Sequence, residues 1–369
     1  MASNISECLF LSESDLVKVG SLNMEQCIDT MEEAYSLVGQ GDYIMGGASQ
    51  NDHGHKIFFP SETPFTKMPT AAPDRRFASL IGYLGGEFHV AGMKWYGSNI
   101  KNRELGLPRS ILTIALNDPD TAELLSVMSG NTISSMRTGA MPGLAAKHLA
   151  KEDSQTIGLI GAGVVNRTSL KGLSAVLKDI KQVKVYDLFA ENSKKFAEEM
   201  GDKLKLKIES VKNIEEVINN SDIVNIATSG KNNPHIKKEW LKEGALLSLP
   251  ARVDLDDDIL LNSKIVVDEW KMHKAYHNQG KIYDKAKDFQ TAYLFKLIDE
   301  GKLNEEDFTS LGPIINQKHN IKSSNKKNTI FIAGGLSIQD IAWGYHLYKS
   351  AKNVGVGNVF NLWDSEPKF

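Results

Sequence analysis

Only two cysteines, Cys8 and Cys27, occur in the chain. That is too few for a disulfide framework, and a reducing, cytoplasmic setting fits them best. Long apolar runs are also lacking. None approaches the roughly 20 residues a membrane helix needs, so no membrane partner is expected. The opening MASNISECLFLSESD has acids close behind its apolar stretch and no basic segment ahead of it, unlike a signal peptide. Positive charge is not in excess. The formal net charge of −3 offers no broad field to nucleic acid or to an anionic membrane. No internal repeat is visible.

What is present is an ordinary soluble composition, 41% hydrophobic and 24% charged. At 369 residues the chain is longer than one core usually covers, so two domains are expected. Residues 24–38 place Cys27, Met31, Ala34, Tyr35 and Val38 on one helical face. From about 43 to 80, Gly, Pro, His and Asn predict strand and loop. A strand at 111–116 ends in the turn signal Asn117-Asp118-Pro119-Asp120. Residues 131–150 read as a helical region of small residues that Pro142 must start, kink or interrupt.

The texture then changes to alternating strand and helix. Strands are predicted at 156–161, 182–187, 204–209, 222–228, 245–249 and 264–268, and helices to about 178, at 190–200 and near 213–219. Such alternation implies right-handed parallel crossovers and a doubly wound α/β sheet of the Rossmann type. The reading is a Rossmann domain at 151–324, inserted into an α+β domain made of 1–150 and 325–369. Residues 316–327 read as a polar, exposed connection, and 329–352 as a strand, a Gly-Gly turn and a helix.

The junction of the first such strand reads Gly161-Ala162-Gly163-Val164-Val165-Asn166. Gly161 suits the tight turn out of the strand. Gly163 lets backbone N–H groups approach a pyrophosphate at the positive end of the next helix. Asn166 stands where a third glycine is expected. Glycine pairs at strand ends are also common simple turns. Asp187, at the end of the second strand, raises the dinucleotide reading, because an acid there accepts bonds from ribose hydroxyls and repels a 2′-phosphate. With no arginine after it in Asp187-Leu188-Phe189, NAD is favoured over NADP. The alternative is an aspartate that caps the next helix.

Outside this domain the stretch 92–110 contains Lys94-Trp95, Asn102 and Gly106-Leu107-Pro108-Arg109, and Arg137-Thr138-Gly139-Ala140 follows. With the loop Gly161 to Val164, with Ala227-Thr228-Ser229 and with the closing strand–Gly–helix bearing Asp340, the sequence resembles the ornithine cyclodeaminase/mu-crystallin family over nearly its whole length. The resemblance implies a substrate-binding and dimerisation domain, hence a homodimer. It also implies a Rossmann domain supplying a nicotinamide cofactor, with the active site between the two. Lys94 and Arg137 match the family's lysine and arginine and would hold the substrate α-carboxylate, with Thr138 beside them. The loop Gly161, Gly163, Val164, Val165 and Asn166, with Asp187, Ala227, Thr228 and Ser229, would hold the cofactor. An arginine fork and a lysine point charge make a suitable clamp for an amino acid whose Cα–H faces a nicotinamide. Lys94 could also serve as an acid or base if burial and Arg137 lower its pKa. A solvated strand-end lysine and a helix arginine paired with an acid are the plainer readings of the two.

The sequence also departs from that pattern. Cyclodeaminases carry Gly-x-His-x-Asn after the fifth Rossmann strand, then a catalytic aspartate. Here Gly244 to Asp254 lacks that His and Asn, and the aspartate has no clear counterpart. Asp254 and Asp256 to Asp258 read as caps of the next helix, and Arg252 is a candidate for the substrate side. A second family arginine, expected near 45–55, is missing. His53 and His55 alternate on a presumed strand but have no third metal ligand, so no metal is expected. Arg75 and Arg76 offer spare positive charge. The segment Phe59-Pro60 to Pro73-Asp74-Arg75-Arg76 and the tail Asn361-Leu362-Trp363-Asp364 are similar to a subgroup of the family often named for tyramine oxidase, although no flavin or copper signature is present.

The leading expectation is therefore an NAD-dependent enzyme acting at the α-carbon of an amino or imino acid, with ornithine cyclodeamination as prototype. An amino-acid dehydrogenase or imine reductase is the second reading, and a non-catalytic nucleotide-binding protein the third.

Overall fold

A computed structural model describes residues 6–229, 233–282, 291–317 and 326–363. The chain divides into two compact units. One comprises Met1–Asn23, Gly41–Ser134 and Leu336–Phe369, the other Met24–Gln40 and Ser135–Gly335.

The second unit holds an eight-stranded sheet in the order Ile208–Ser210, Gln182–Tyr186, Thr156–Ile160, Ile223–Ile226, Leu246–Leu249, Thr329–Ile332, Lys264–Val267, Phe308–Ser310. Every adjacent pair is parallel. The central strands are buried on both faces, as Ile223–Ile226, Leu246–Leu249 and Thr329–Ile332 show at every position. This is why they read as continuous apolar runs rather than alternating ones. The chain leaves Thr156–Ile160 toward one side, to Gln182–Tyr186, and later returns to Ile223–Ile226 on the other. The crevice at that reversal is where such sheets bind ligands.

Three boundaries differ from the sequence reading. Helix Met24–Gln40 belongs to the parallel-sheet unit. Gly39 and Gly312 let it lie against helix Leu311–Ile315 at backbone contact, and Ser36 Oγ donates to Asn316 Oδ1 at 2.6 Å. Thr329–Ile332 is an inner strand of the parallel sheet, so the return to the other unit begins at Leu336 and not at 325. The third strand is only Ile208–Ser210, because helix Ala190–Leu204 runs on to a left-handed cap at Lys205, φ 56°. The expected polar connection falls largely on 318–325, outside the described residues. Pro142 lies inside helix Asn131–Leu149 without ending it.

The first unit is a mostly antiparallel sheet in the order Asn358–Trp363, Ser6–Leu11, Leu124–Ser129, Ser110–Asn117, Val90–Ser98, Arg76–Leu84, Tyr43–Met45, with His55–Phe58 also pairing with Arg76–Leu84. Helix Ser337–Val354 covers one face. Its Ser337 Oγ donates to the Ile81 carbonyl at 2.9 Å, and Trp343, Ile341 and Leu347 are fully buried. The opposite face presents Phe77, Ile81, Met93, Trp95 and Ile111, all more than a third exposed.

Candidate functional site

In the parallel-sheet unit, strand Thr156–Ile160 delivers the chain to Gly161 at φ 96°. A Cβ there would lie 2.4 Å from the Ala227 carbonyl oxygen, so both the dihedral and the neighbouring strand end demand glycine. Gly163 is the N-cap of helix Val164–Val176 and has no capping side chain. A Cβ there would meet nothing within 4 Å. Gly163 and Val164 are exposed, whereas Gly161 and Ala162 are buried.

Asn166 is fully buried. Its Nδ2 donates to the Ile160 and Gly161 carbonyls at 2.9 and 2.6 Å, and its Oδ1 accepts from Asn225 Nδ2 at 2.6 Å. The residue that replaces the third glycine therefore ties the loop to the adjacent strand. The amide bonds the Gly161 carbonyl and is a second donor to the Ile160 carbonyl, which the Ala227 N–H also reaches. Asn225 was missed at the sequence level. Its signal is one polar residue within the buried strand Ile223–Ile226.

Asp187 Oδ2 accepts the Ala162 N–H at 2.9 Å. Its Oδ1 accepts the Phe189 N–H and Asn192 Nδ2 at 3.0 and 3.1 Å. The acid thus links the glycine loop to the turn ahead of helix Ala190–Leu204, although it makes no cap bond to that helix. Leu188 and Phe189 after it are 80% and 66% exposed, so apolar surface, not a cation, flanks the carboxylate. Ala227, Thr228 and Ser229 follow strand Ile223–Ile226 at the same edge of the sheet, and the Ala227 N–H donates to the Ile160 carbonyl at 2.9 Å.

Arg137 and Thr138 are half-buried on helix Asn131–Leu149. This helix lies directly on helix Val164–Val176. A Cβ on Gly172 would be 2.3 Å from the Gly139 carbonyl oxygen, and one on Gly143 would be 2.6 Å from that of Gly172. The glycine of Arg-Thr-Gly-Ala is thus a close-packing position against the phosphate-loop helix, and it fixes where Arg137 begins.

Lys94 belongs to the other unit. It lies opposite Leu80 and Ile114 in neighbouring strands. It is 3% exposed and donates to Asp340 Oδ2 at 2.6 Å, with Asp340 wholly buried. The reading as a solvated strand-end lysine is corrected: antiparallel register points the side chain under helix Ser337–Val354, where only a carboxylate makes its charge tolerable.

Other candidates stand elsewhere. Arg252 is exposed in the stretch between Leu246–Leu249 and Asp254–Leu255. Asp256 occupies the N-cap of helix Asp257–Leu261, yet its side chain makes no cap bond. It accepts the Lys238 N–H at 3.2 Å and pairs with His235 at 3.2 Å. Asp257 bonds Tyr293, and Asp258 bonds Lys238 and Asn262. The capping expectation gives way because these longer-range donors compete for the same oxygens. His55 starts a strand whereas His53 lies in the preceding loop, so the presumed alternation is absent. Among the described residues no group of three or more metal-type ligands occurs.

The strand Lys264–Val267 leads to a cluster with no counterpart in the sequence reading. Asp268 and His273 are fully buried and pair at 2.7 Å, and Asp268 Oδ2 accepts the Gly335 N–H at 2.7 Å. Burial pushes the neighbouring Glu269 carboxyl above its usual range, partly offset by the Lys271 N–H.

A model of the ornithine cyclodeaminase/mu-crystallin family matches residues 21–355. The chain belongs to that family. Among the family's characterised proteins, the alanine dehydrogenase of Archaeoglobus fulgidus is 30% identical over 95% of this chain and 97% of its own. The N-((2S)-2-amino-2-carboxyethyl)-L-glutamate dehydrogenase of Staphylococcus aureus is 26% identical over 97% of this chain and 99% of its own. Among solved structures, Thermococcus litoralis Delta(1)-pyrroline-2-carboxylate reductase, in complex with NADH and L-proline, superposes with a TM-score of 0.78. It is 30% identical and covers 95% of this chain and 99% of that one.

Proposed function

We propose that this chain is an NAD-dependent oxidoreductase acting at the α-carbon of an amino or imino acid, working as an amino-acid dehydrogenase or imine reductase. The observation that carries it is the glycine loop with Asp187. Gly161 is sterically required, Gly163 opens onto a helix N-terminus, and an acid stands at the loop with no cation behind it. These residues fit a dinucleotide with a free ribose 2′-hydroxyl. The relatives' activities, alanine dehydrogenase and an NADH-bound imino-acid reductase, support the same class.

Bound there, NAD would accept or return a hydride at the substrate Cα. The chain's own residues bind and orient. Lys94 is assigned to the α-carboxylate, with its ammonium anchored on Asp340. Asp340 holds that lysine in position. Arg137 is assigned the second, two-point contact. Without the family's His, Asn and aspartate after Leu246–Leu249, the residues that cyclodeamination would call on are missing, which favours simple oxidation and reduction.

The homodimer is part of the proposal. Five large apolar residues on one sheet face, with Phe77 and Trp95 stacked at 5.7 Å, form a patch of the kind that marks an interface. A second copy is its proposed cover, and Trp95→Glu should yield monomers in sedimentation.

The test is turnover with NAD and a panel of L-amino acids, and with NADH plus 2-oxo acids and ammonia, following NADH absorbance and product mass together. NADH change with matching product supports the proposal, with NADPH a poor replacement. Ammonia loss without net NADH establishes cyclodeamination instead. Tight NADH binding with silence in every channel makes the chain a binding protein.

A further inference from the structure

The same sheet face that carries Lys94 bears a second cationic feature. Arg76 opposes Ser98 as Lys94 opposes Leu80, and directly opposed side chains share a face, as do residues four apart. Arg76 and Lys94 therefore project on one side, about 13 Å apart along the strands. Arg109 enters from the chain just before Ser110, which opposes Ser98 in the next strand.

Both arginines close on one carboxylate. Arg76 Nη1 donates to Asp74 Oδ1 at 2.5 Å, and Arg109 Nε donates to Asp74 Oδ2. The aspartate is itself held in place, since Ser98 Oγ donates to its carbonyl at 2.7 Å. Arg76 also lies over the Tyr96 ring at 5.9 Å. The Asp74 side chain is 12% exposed, those of Arg76 and Arg109 31% and 38%. Among the described residues the two Nη groups of Arg109 meet no partner. They form the planar edge of a guanidinium, the shape that binds a carboxylate through two parallel bonds.

Charge around the pair is predominantly positive. Residues 55–76 and 98–110, which meet at this end of the sheet, carry seven lysines and arginines against three acids, in a chain of net charge −3. That local excess of cations surrounds a pair fixed at a strand end.

We infer that Arg76 and Arg109, braced on Asp74, form a receptor for a second acid group of the substrate, so that the protein takes amino or imino acids with an acidic side chain. This rests on the proposed oxidoreductase reading for its assignment of Lys94 to the α-carboxylate. The span between the two cationic points then selects length as well as charge.

The experiment is calorimetric titration of the full chain, with saturating NADH, using 2-oxoglutarate and the matched monoacid 2-oxobutyrate. The expected result is at least tenfold tighter binding of 2-oxoglutarate, and Arg109→Gln brings the ratio to within twofold of unity by weakening the diacid. Arg109→Lys, which keeps charge but not the fork, retains part of the preference. Thermal melts of each variant establish that it is folded. Equal affinities in the unaltered protein, or a preference that survives in both Arg109→Gln and Arg76→Gln, overturn the inference and leave the cluster as a brace for residues 59–75. Failure of the oxidoreductase reading is distinct: the diacid preference persists while no member of the panel exchanges hydride.

Discussion

The two units solve the burial of polar groups in different ways. In the parallel-sheet unit, Asn166 and Asn225 form a neutral amide pair with no exposure. In the antiparallel unit, Lys94 and Asp340 form an ionic pair just as deeply buried. A neutral amide costs little to hide once bonded, and its worth lies in shape. An ion pair gains little net stability from burial, because desolvation offsets attraction. The first pair ties the glycine loop to a neighbouring strand; the second holds a charge under a helix.

The largest effect should come from unbalancing the ionic pair. Asp340→Ala leaves an ammonium buried with no compensating carboxylate there, a loss of about 3–5 kcal/mol. Asp340→Asn keeps the shape and an acceptor and should cost less, yet lower kcat/KM for the amino acid far more than it lowers NADH affinity. Chemical denaturation and NADH titration of both variants measure this. Equal stability of Asp340→Ala and the parent would mean that the pair is not buried in solution.

The amide pair should respond more gently and additively only in part. Asn166→Ala strands the Asn225 amide and frees the Gly161 carbonyl, a cost of about 1–3 kcal/mol. Asn225→Val removes an Oδ1 that has no partner among the described residues but leaves the buried Asn166 Oδ1 without its donor, and should also cost about 1–3 kcal/mol. The double variant recovers most of the stability while NADH still binds several-fold more weakly, because the loop has lost its tether. A double-mutant cycle read by both denaturation and NADH titration separates packing from positioning. If affinity recovers along with stability, the pair is only filler.

Much of the fold was legible because burial writes itself into local pattern. The strands Thr156–Ile160 and Leu246–Leu249 are mostly apolar runs and Gln182–Tyr186 alternates, and Gly161 announces its own dihedral. What was not legible depends on partners distant in sequence. The helix Met24–Gln40 shows its apolar face but not that Leu311–Ile315 will meet it. Asn166 was visible as a departure, while its partner lies 59 residues away. Lys94 and Asp340 were both picked out through the family resemblance, and their pairing across 246 residues was not. Arg76 read as spare charge and Arg109 as part of the Gly-Leu-Pro-Arg stretch, since only the register of three strands brings them to one aspartate.

A third cluster marks the weak end of the comparison, where water shares the work. Glu32 on helix Met24–Gln40 accepts from His148 Nε2 at 2.7 Å and from Lys147 Nζ at 2.5 Å. The His148 bond and then Lys147 outweigh burial and pull the Glu32 carboxyl down to about 2. A carboxyl held below its unfolded value of about 4.3 stabilises the native state fully above that pH, and the gain vanishes as pH falls through the folded value. The side chains of Glu32, Lys147 and His148 are 25%, 41% and 21% exposed, so screening trims the contribution to about 2 kcal/mol or less. Glu32→Gln should therefore lower stability by that amount at pH 6 and by progressively less between pH 4 and 2, with the deficit shrinking further in 1 M salt. Melts across that pH range test it. A deficit that stays constant down to pH 2 would assign the loss to packing of the helix rather than to the charge, and would move this cluster from the ionic side of the comparison to the neutral one.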